Sequence, residues 1–435
     1  FFFKQKTAYE IRNCDWSSDV CSSDLDIQGW PTTAGSLALL ENVASRDADV
    51  VARLREAGLI IAGKTNLSEW ANFRDDHSTS GWSGVGGLTR NAWSPGRSAC
   101  GSSSGSAVAV AAAYVPFAIG TETNGSIVCP AAYNGIVGVK PTLGLVSQRG
   151  IIPIAATQDT AGPMAYDVRT AAMLLEVMSG QPEGALTRGL SPAGLQGLRV
   201  GVIRSRDYGK GPRRLYDIAI NDLRKAGAVL IEDLKFPDWP EGFWDDSLNV
   251  LLYEFKAGLN QYLAGSPPEV KTRSLADLIE FNEVEAEREM RWFGQSLLTQ
   301  AQKKKGLEQA EYRHALKRVR EFTRQSIDGL MASGDLDVLV MPTNALPFVI
   351  DEIHGDSFHG GSSTMAAISG YPHVTVPAGK SEGLPVGLSF MGAAGSDALV
   401  LQAAFAYERA TMHATTLEGR DPWHLEQRFS EQSGN

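Results

Sequence analysis

The chain has 435 residues, 43% of them hydrophobic, with 40 Lys and Arg against 50 Asp and Glu and a formal net charge of −10. That length admits two or three ordinary domains, or one large α/β domain with insertions. The acidic balance argues against nucleic acid or an anionic membrane as partner, and no apolar run reaches the roughly 18 residues of a membrane span.

Residues 1–25 stand apart. Lys4-Gln5-Lys6-Thr7-Ala8-Tyr9-Glu10-Ile11 and Asp19-Val20-Cys21-Ser22-Ser23-Asp24-Leu25 back-translate to oligonucleotides used in short-read sequencing, and Phe1 to Phe3 fit a poly-T lead. A signal peptide would need an apolar core and a small-residue cleavage site, and neither is there. Residues 1–25 are therefore expected to be a non-native, adapter-derived segment without specific packing, and 26–435 to form the folded domain. Asp47 to Ala57 has helical spacing, with Val50, Val51, Leu54 and Ala57 on one face. Gly58 to Thr65 formally matches the phosphate-loop pattern G-x-x-x-x-G-K-[ST]. Its middle residues, Leu59-Ile60-Ile61-Ala62, read as a strand that could not curl around an anion. A nucleotide site is not expected, and Lys64 is assigned to support of the fold or of a site rim.

Arg74 to Ala99 reads as loop packed over the core, with Trp82 and Trp93 interspersed. Cys100 to Pro130 is the densest stretch. A small-residue turn, Gly101-Ser102-Ser103-Ser104-Gly105, opens a buried Ala/Val helix over Ser106 to Tyr114. The chain returns through Val115 to Ile119 into a second turn, Gly120-Thr121-Glu122-Thr123-Asn124-Gly125-Ser126. Facing turns of this kind can present backbone N–H groups to a developing anion beside a nucleophile. The plain alternative is a serine-rich loop, a core helix and another loop. Ser103 also matches G-x-S-x-G, but the residues before it include Pro95 and are too polar for the buried strand that motif needs. No histidine stands where it would be a base, and His373 reads as a satisfied loop histidine. Cys100 and Cys129 have no metal-ligand spacing and do not make a disulfide framework.

Beyond Pro163, helices are expected over Val168 to Ser179, Asp217 to Ala226 and Asp397 to Thr411. Strands are expected over Leu198 to Ile203, Ala228 to Ile231, Leu336 to Thr343, Val374 to Pro377 and Pro385 to Gly392. Residues 241–333 read as a largely helical region, with long stretches over Ser274 to Gln302 and Glu308 to Ala332. Strands interleaved with helices along the whole length indicate one α/β domain with a central, largely buried sheet.

GSSSGSAVAVAA, GTETNGSIVCPAAYNGIVGVKPTLGLVS, Gly150-Ile151-Ile152-Pro153 and Gln158-Asp159-Thr160-Ala161-Gly162-Pro163 resemble the amidase signature family. Within it, LLYEFKAGLNQYL and RSLADLIEFN are most similar to peptide amidases, which release ammonia from C-terminal carboxamides. The resemblance implies a mixed sheet surrounded by helices. It makes Ser126 the nucleophile and Ser102 the bridging serine, after a cis Gly101-Ser102 bond and with its Oγ in hydrogen-bond reach of Ser126 Oγ. Thr123, Asn124, Gly125 and Ser126 would form the oxyanion hole through their N–H groups. It implies no metal and no cofactor, and a small peptide or amide as substrate. The family's third catalytic member is a lysine. Counting back from PTTAGS places it near 22 to 24, where this chain has Ser22, Ser23 and Asp24. The lysine is thus expected to be missing, lost with the natural N-terminus, and the chain as given to be nearly inactive. Asn124 departs from the acidic residue common in those relatives. The alternatives are a catalytically silent amide-binding protein and an amidotransferase-type subunit. Compartment and oligomeric state are not legible.

Overall fold

The described residues, 18–204 and 208–413 in a computed structural model, are organised on one ten-stranded mixed sheet. In chain order its strands are β1 (Ser18–Ser22), β2 (Ile60–Thr65), β5 (Phe117–Glu122), β6 (Val137–Lys140), β7 (Thr160–Ala165), β8 (Arg199–Ile203), β9 (Val229–Leu234), β10 (Val338–Pro342), β11 (His373–Ser381) and β12 (Leu384–Met391). β3 (Trp82–Ser83) and β4 (Gly87–Leu88) pair separately as a small hairpin, inside what is otherwise the expected loop. The spatial order is β2-β1-β5-β7-β6-β11-β12-β10-β8-β9. Each end of the sheet is parallel, β2-β1-β5 and β10-β8-β9, and the middle is antiparallel.

Helices cover both faces. One face packs α1 (Asp49–Glu56), α4 (Val168–Ser179), α5 (Lys210–Lys225) and α12 (Asp397–Thr411) into a single apolar core. The other carries α2 (Ser104–Ala111), α3 (Val128–Asn134), α10 (Ala310–Gly334) and α11 (Ser363–Ser369). α4 shows why the local reading works. Asp167 accepts the N–H of Thr170 at its start, and Gly180 at φ +67° closes its end, the two terminal signals of an ordinary helix. β6 and β7 escape a reading by pattern. Their sequences, VGVK and TAGPMA, are short and broken by Gly and Pro, and the ladder between them stops at Met164, one residue short of Pro163.

The helical region over 241–333 is present as α6 (Phe243–Ala264), α7 (Leu275–Val284), α8 (Ala286–Glu289), α9 (Ser296–Gln302) and α10. The continuous stretch expected from Ser274 to Gln302 is broken, because Glu289 turns inward. Its Oε1 accepts from Leu37 N (2.6 Å) and Ser36 Oγ (3.2 Å), and the next residues wrap Arg74. Arg74 is fully buried, 2.6 Å from Glu69 Oε1, with its guanidinium over the rings of Trp82 and Phe293. No helix among the described residues is long and apolar enough to cross a membrane.

The expectation that residues 1–25 lack specific packing fails for their described part. β1 is hydrogen-bonded in parallel to β2 on one side and β5 on the other. Cys21, Ser22, Ser23, Asp24 and Leu25 are all buried. The reason is that a strand enters a sheet through its backbone, and the apolar alternation needed here is satisfied by Val20 on one face and Cys21 on the other. Residues 1–17 lie outside the described residues.

Candidate active site

Both serine turns are shaped by local bonds. In the first, Cys100 has φ +59° and the Gly101-Ser102 peptide is cis, as expected. Ser104 Oγ donates to Cys100 O (2.6 Å), while Ser68 N and Ser104 N both donate to Ser102 O. Gly101 has no room for a side chain, since a Cβ would collide with Ser68 Oγ. In the second turn, Glu122 Oε2 accepts from Ile127 N (2.8 Å) and Val128 N (3.0 Å), bending β5 into α3. Gly125 takes φ +90°, which favours glycine.

The turns meet. Ser103 N donates to Ser126 O at 3.1 Å, and Ser103 Oγ is used up on the backbone of Thr121. Ser103 is therefore a structural clamp, which removes the G-x-S-x-G reading. A disulfide joins Cys100 to Cys129, with Cα atoms 6.0 Å apart. Spacing alone does not reveal this pairing, because the two cysteines are 29 residues apart and only the facing of the turns brings them together. Replacing either cysteine with serine is expected to lower the unfolding free energy by about 2–4 kcal/mol. Denaturant melts of oxidised and reduced protein, with and without the substitution, measure it. Equal stability in all four would refute the clamp.

A cavity of about 770 Å³ opens on this junction. Cys100, Gly101 and Thr123 to Ser126 form part of its wall, and Ile154, Leu251, Trp244 and Phe358 give it an apolar side. Among the described residues, no backbone carbonyl takes the N–H groups of Asn124, Gly125 or Ser126. Thr123 Oγ1 donates to Asp159 Oδ1 (2.6 Å), whose carboxyl burial pushes up to about 7. Asn124 Oδ1 accepts from Ser363 Oγ (2.7 Å) on α11, so this side chain is parked against the neighbouring helix. A second cavity, about 640 Å³, adjoins the first and shares Ala71, Thr123 and Ile154 with it.

One expected bond is not made. Ser102 Oγ is fully buried and has no hydrogen-bond partner among the described residues, so the bond to Ser126 Oγ is not formed. Ser22 Oγ and Ser23 Oγ are likewise buried without a well-formed hydrogen bond among the described residues, Ser22 beside the Asp24 carboxyl. Ser22 lies opposite Thr65 in the β1–β2 ladder, and laterally paired residues carry their side chains on one face. Thr65 Oγ1 is 2.8 Å from Ser106 Oγ on α2, so Ser22 faces the helix that the Ser102 turn opens. Lys64, one residue earlier, projects to the other face. Its ammonium donates to Pro31 O (2.7 Å) and Thr32 Oγ1 (3.0 Å), and burial pushes its pKa down to about 8. It supports the fold beside the PTTAGS turn, and the phosphate-loop pattern is, as read, a strand.

His373 is corrected. It is a strand residue of β11, not a loop residue, and is only half satisfied. Nε2 lies 2.6 Å from Ser389 Oγ, while Nδ1 is buried without a partner among the described residues. Burial, with Lys140 nearby, pushes its pKa down to about 3. Among the described residues one group, Asp75, Asp76 and His77, brings three metal-capable atoms together; none of them lines the serine cavity.

A family model described as Amidase matches residues 23–401. A peptide amidase solved in complex with the competitive inhibitor chymostatin superposes with a TM-score of 0.88 at 43% identity, covering 94% of this chain and 88% of that one. A probable amidase of Arabidopsis thaliana is 38% identical over 403 residues, 88% of this chain and 73% of the relative. A glutamyl-tRNA(Gln) amidotransferase subunit of Symbiobacterium thermophilum is 34% identical over 427 residues, 91% and 82% of the two chains.

Proposed function

Because this chain belongs to the amidase family of amide-hydrolysing enzymes, we propose that its site is built to hydrolyse a primary carboxamide, the C-terminal amide of a short peptide, to acid and ammonia. The observation that carries this is the junction of the two serine turns at the wall of one cavity. In this reading Ser126 Oγ attacks the amide carbonyl, and the N–H groups of Thr123, Asn124, Gly125 and Ser126 stabilise the oxyanion. Serine is a weak nucleophile and needs a base. Ser102 passes the Ser126 proton towards a neutral lysine and returns it to the departing nitrogen. Ammonia leaves, and water then releases the acid from Ser126.

In this reading the base is the member missing among the described residues. Position 22, on the face of β1 that looks toward α2, holds serine. The apolar side of the cavity, with Trp244 and Phe358, suits the side chains of a peptide. Ammonia release from a peptide carboxamide tests the reading with three proteins. These are the chain as given, residues 26–435 fused to a relative's lysine-bearing segment, and that fusion with Ser126→Ala. Activity is expected only in the second. An inactive fusion, or one that Ser126→Ala leaves active, would remove the assignment. The amidotransferase-type reading rests on the glutamyl-tRNA(Gln) amidotransferase relative. Activity that emerges only with partner subunits would favour it.

A further inference from the structure

Trp70, Ala71 and Asn72 are three consecutive non-glycine residues at positive φ, +51°, +52° and +72°. Left-handed backbone is costly for tryptophan and alanine, and a run of it marks a place where a side chain is being aimed. The residue at its end is Asn72, in the wall of the serine cavity. Asn72 Nδ2 donates to Ser80 Oγ at 2.9 Å. Ser80 in turn gives its Oγ proton to Asp356 Oδ2 and its N–H to Asp356 Oδ1 (3.0 Å). A carboxylate only accepts, so the Ser80 proton is committed to it and the Ser80 lone pair must be met by a donor. That fixes which end of the Asn72 carboxamide faces Ser80. Oδ1 is left buried in the cavity wall with no partner among the described residues.

The placement says what this oxygen is for. Ser80 packs on Gly101, where a Cβ would stand 3.1 Å from Ser80 Oγ. Asn72 is therefore tied to the side of the cavity formed by the Ser102 turn, the side from which the departing nitrogen takes its proton. Asn344 Oδ1 is also unpartnered in the wall among the described residues, but the side chains packed on Gly101 are those of Ser68 and Ser80. Resting on the carboxamide reading above, we propose that Asn72 Oδ1 accepts a hydrogen bond from the NH₂ of the substrate's carboxamide, and that Ser80 and Asp356 are positioning residues that hold it in that orientation. The site would thereby select a primary amide over an ester of the same acyl group, because an ester oxygen offers no N–H. A buried acceptor left unpaired by the wrong ligand is a strong source of discrimination.

The test is equilibrium binding by calorimetry to the chain carrying Ser126→Ala, so that nothing is turned over. The ligands are a blocked dipeptide carboxamide and the methyl ester of the same dipeptide. The amide is expected to bind about tenfold more tightly than the ester. Asn72→Ala should reduce that ratio to near one by weakening the amide alone. Ser80→Ala, which leaves the Asn72 carboxamide free to turn, should reduce it partway, in protein whose thermal melt shows it folded. An unchanged ratio in both variants, or equal weakening of amide and ester, overturns the role of Asn72 while leaving the carboxamide reading intact. Failure of the Ser126→Ala chain to bind either ligand overturns both.

Discussion

Ser22→Lys is expected to raise ammonia release from a peptide carboxamide by about 10²- to 10⁴-fold, the usual contribution of a general base. Ser22 is fully buried and on the α2 side of the sheet, with Ser102 Oγ buried and unpartnered at the start of that helix. An amine introduced there would be desolvated, which lowers its pKa and leaves it neutral enough to take a proton. The larger side chain carries an overpacking cost of about 1–3 kcal/mol, so a melt accompanies the rate. Ser126→Ala in the same background should abolish the gain. If Ser22→Lys is folded and inert while lysine at position 23 or 24 is active, the facing argument from Thr65 is wrong. If the unmodified chain already turns over at a comparable rate, another base is at work, and Lys64→Ala would show whether it is Lys64.

Arg74→Ala is expected to cost about 3–5 kcal/mol at neutral pH, the range for breaking a buried ion pair from one side. The guanidinium stands 2.6 Å from Glu69 Oε1 and 3.7 Å from Glu289 Oε2, and its other nitrogens donate to Phe293 O and Gly294 O. Its loss leaves two buried carboxyls facing each other. Burial already holds the Glu69 carboxyl well above its ordinary value of 4.5, with Arg74 opposing and Glu289 adding to the rise. Removing Arg74 raises it further, so the folded variant holds that proton more tightly than the unfolded chain does. The deficit is therefore largest above the raised value and shrinks as pH falls through it, the unfolded carboxyl being protonated as well only below 4.5. Urea melts of both proteins at pH 7 and near pH 4.5 measure it. A deficit that stays constant or grows on acidification would refute the assignment of the cost to unpaired carboxyls.

Much of the architecture was legible because it is carried by local signals. Val168–Ser179 ends where its terminal residues say it should, and Asp397–Thr411 keeps the bounds read from its apolar pattern. The parallel strands β8 and β10 announce themselves as apolar runs because both faces are covered. The two serine turns were legible for a related reason, since small residues and glycine mark close backbone approach. What escaped was whatever depends on facing. Cys100 and Cys129 pair only because the turns meet. Asp356 is far from Asn72 and Ser80 in the chain, and nothing in ANF or STSG says that the asparagine is held through the serine by that carboxylate. The hydrogen bond expected between Ser102 and Ser126 is absent from a site with no lysine at position 22, and the break after Glu289 reflects a carboxylate held by the distant Leu37 N–H and Ser36 hydroxyl.

β1 has one more implication. Its neighbours, β2 and β5, grip it by main-chain bonds on both edges, and such bonds are indifferent to what the side chains are. The seam between those two strands therefore works as a graft point. Within the limits of pleat and bulk, five residues can be exchanged there without redrawing the rest of the sheet. If the proposed base belongs at position 22, the part of the molecule that maintains the fold is separable from the part that decides whether it reacts. A scaffold with that property could be converted between a receptor that retains an amide and a catalyst that consumes it by editing one short strand.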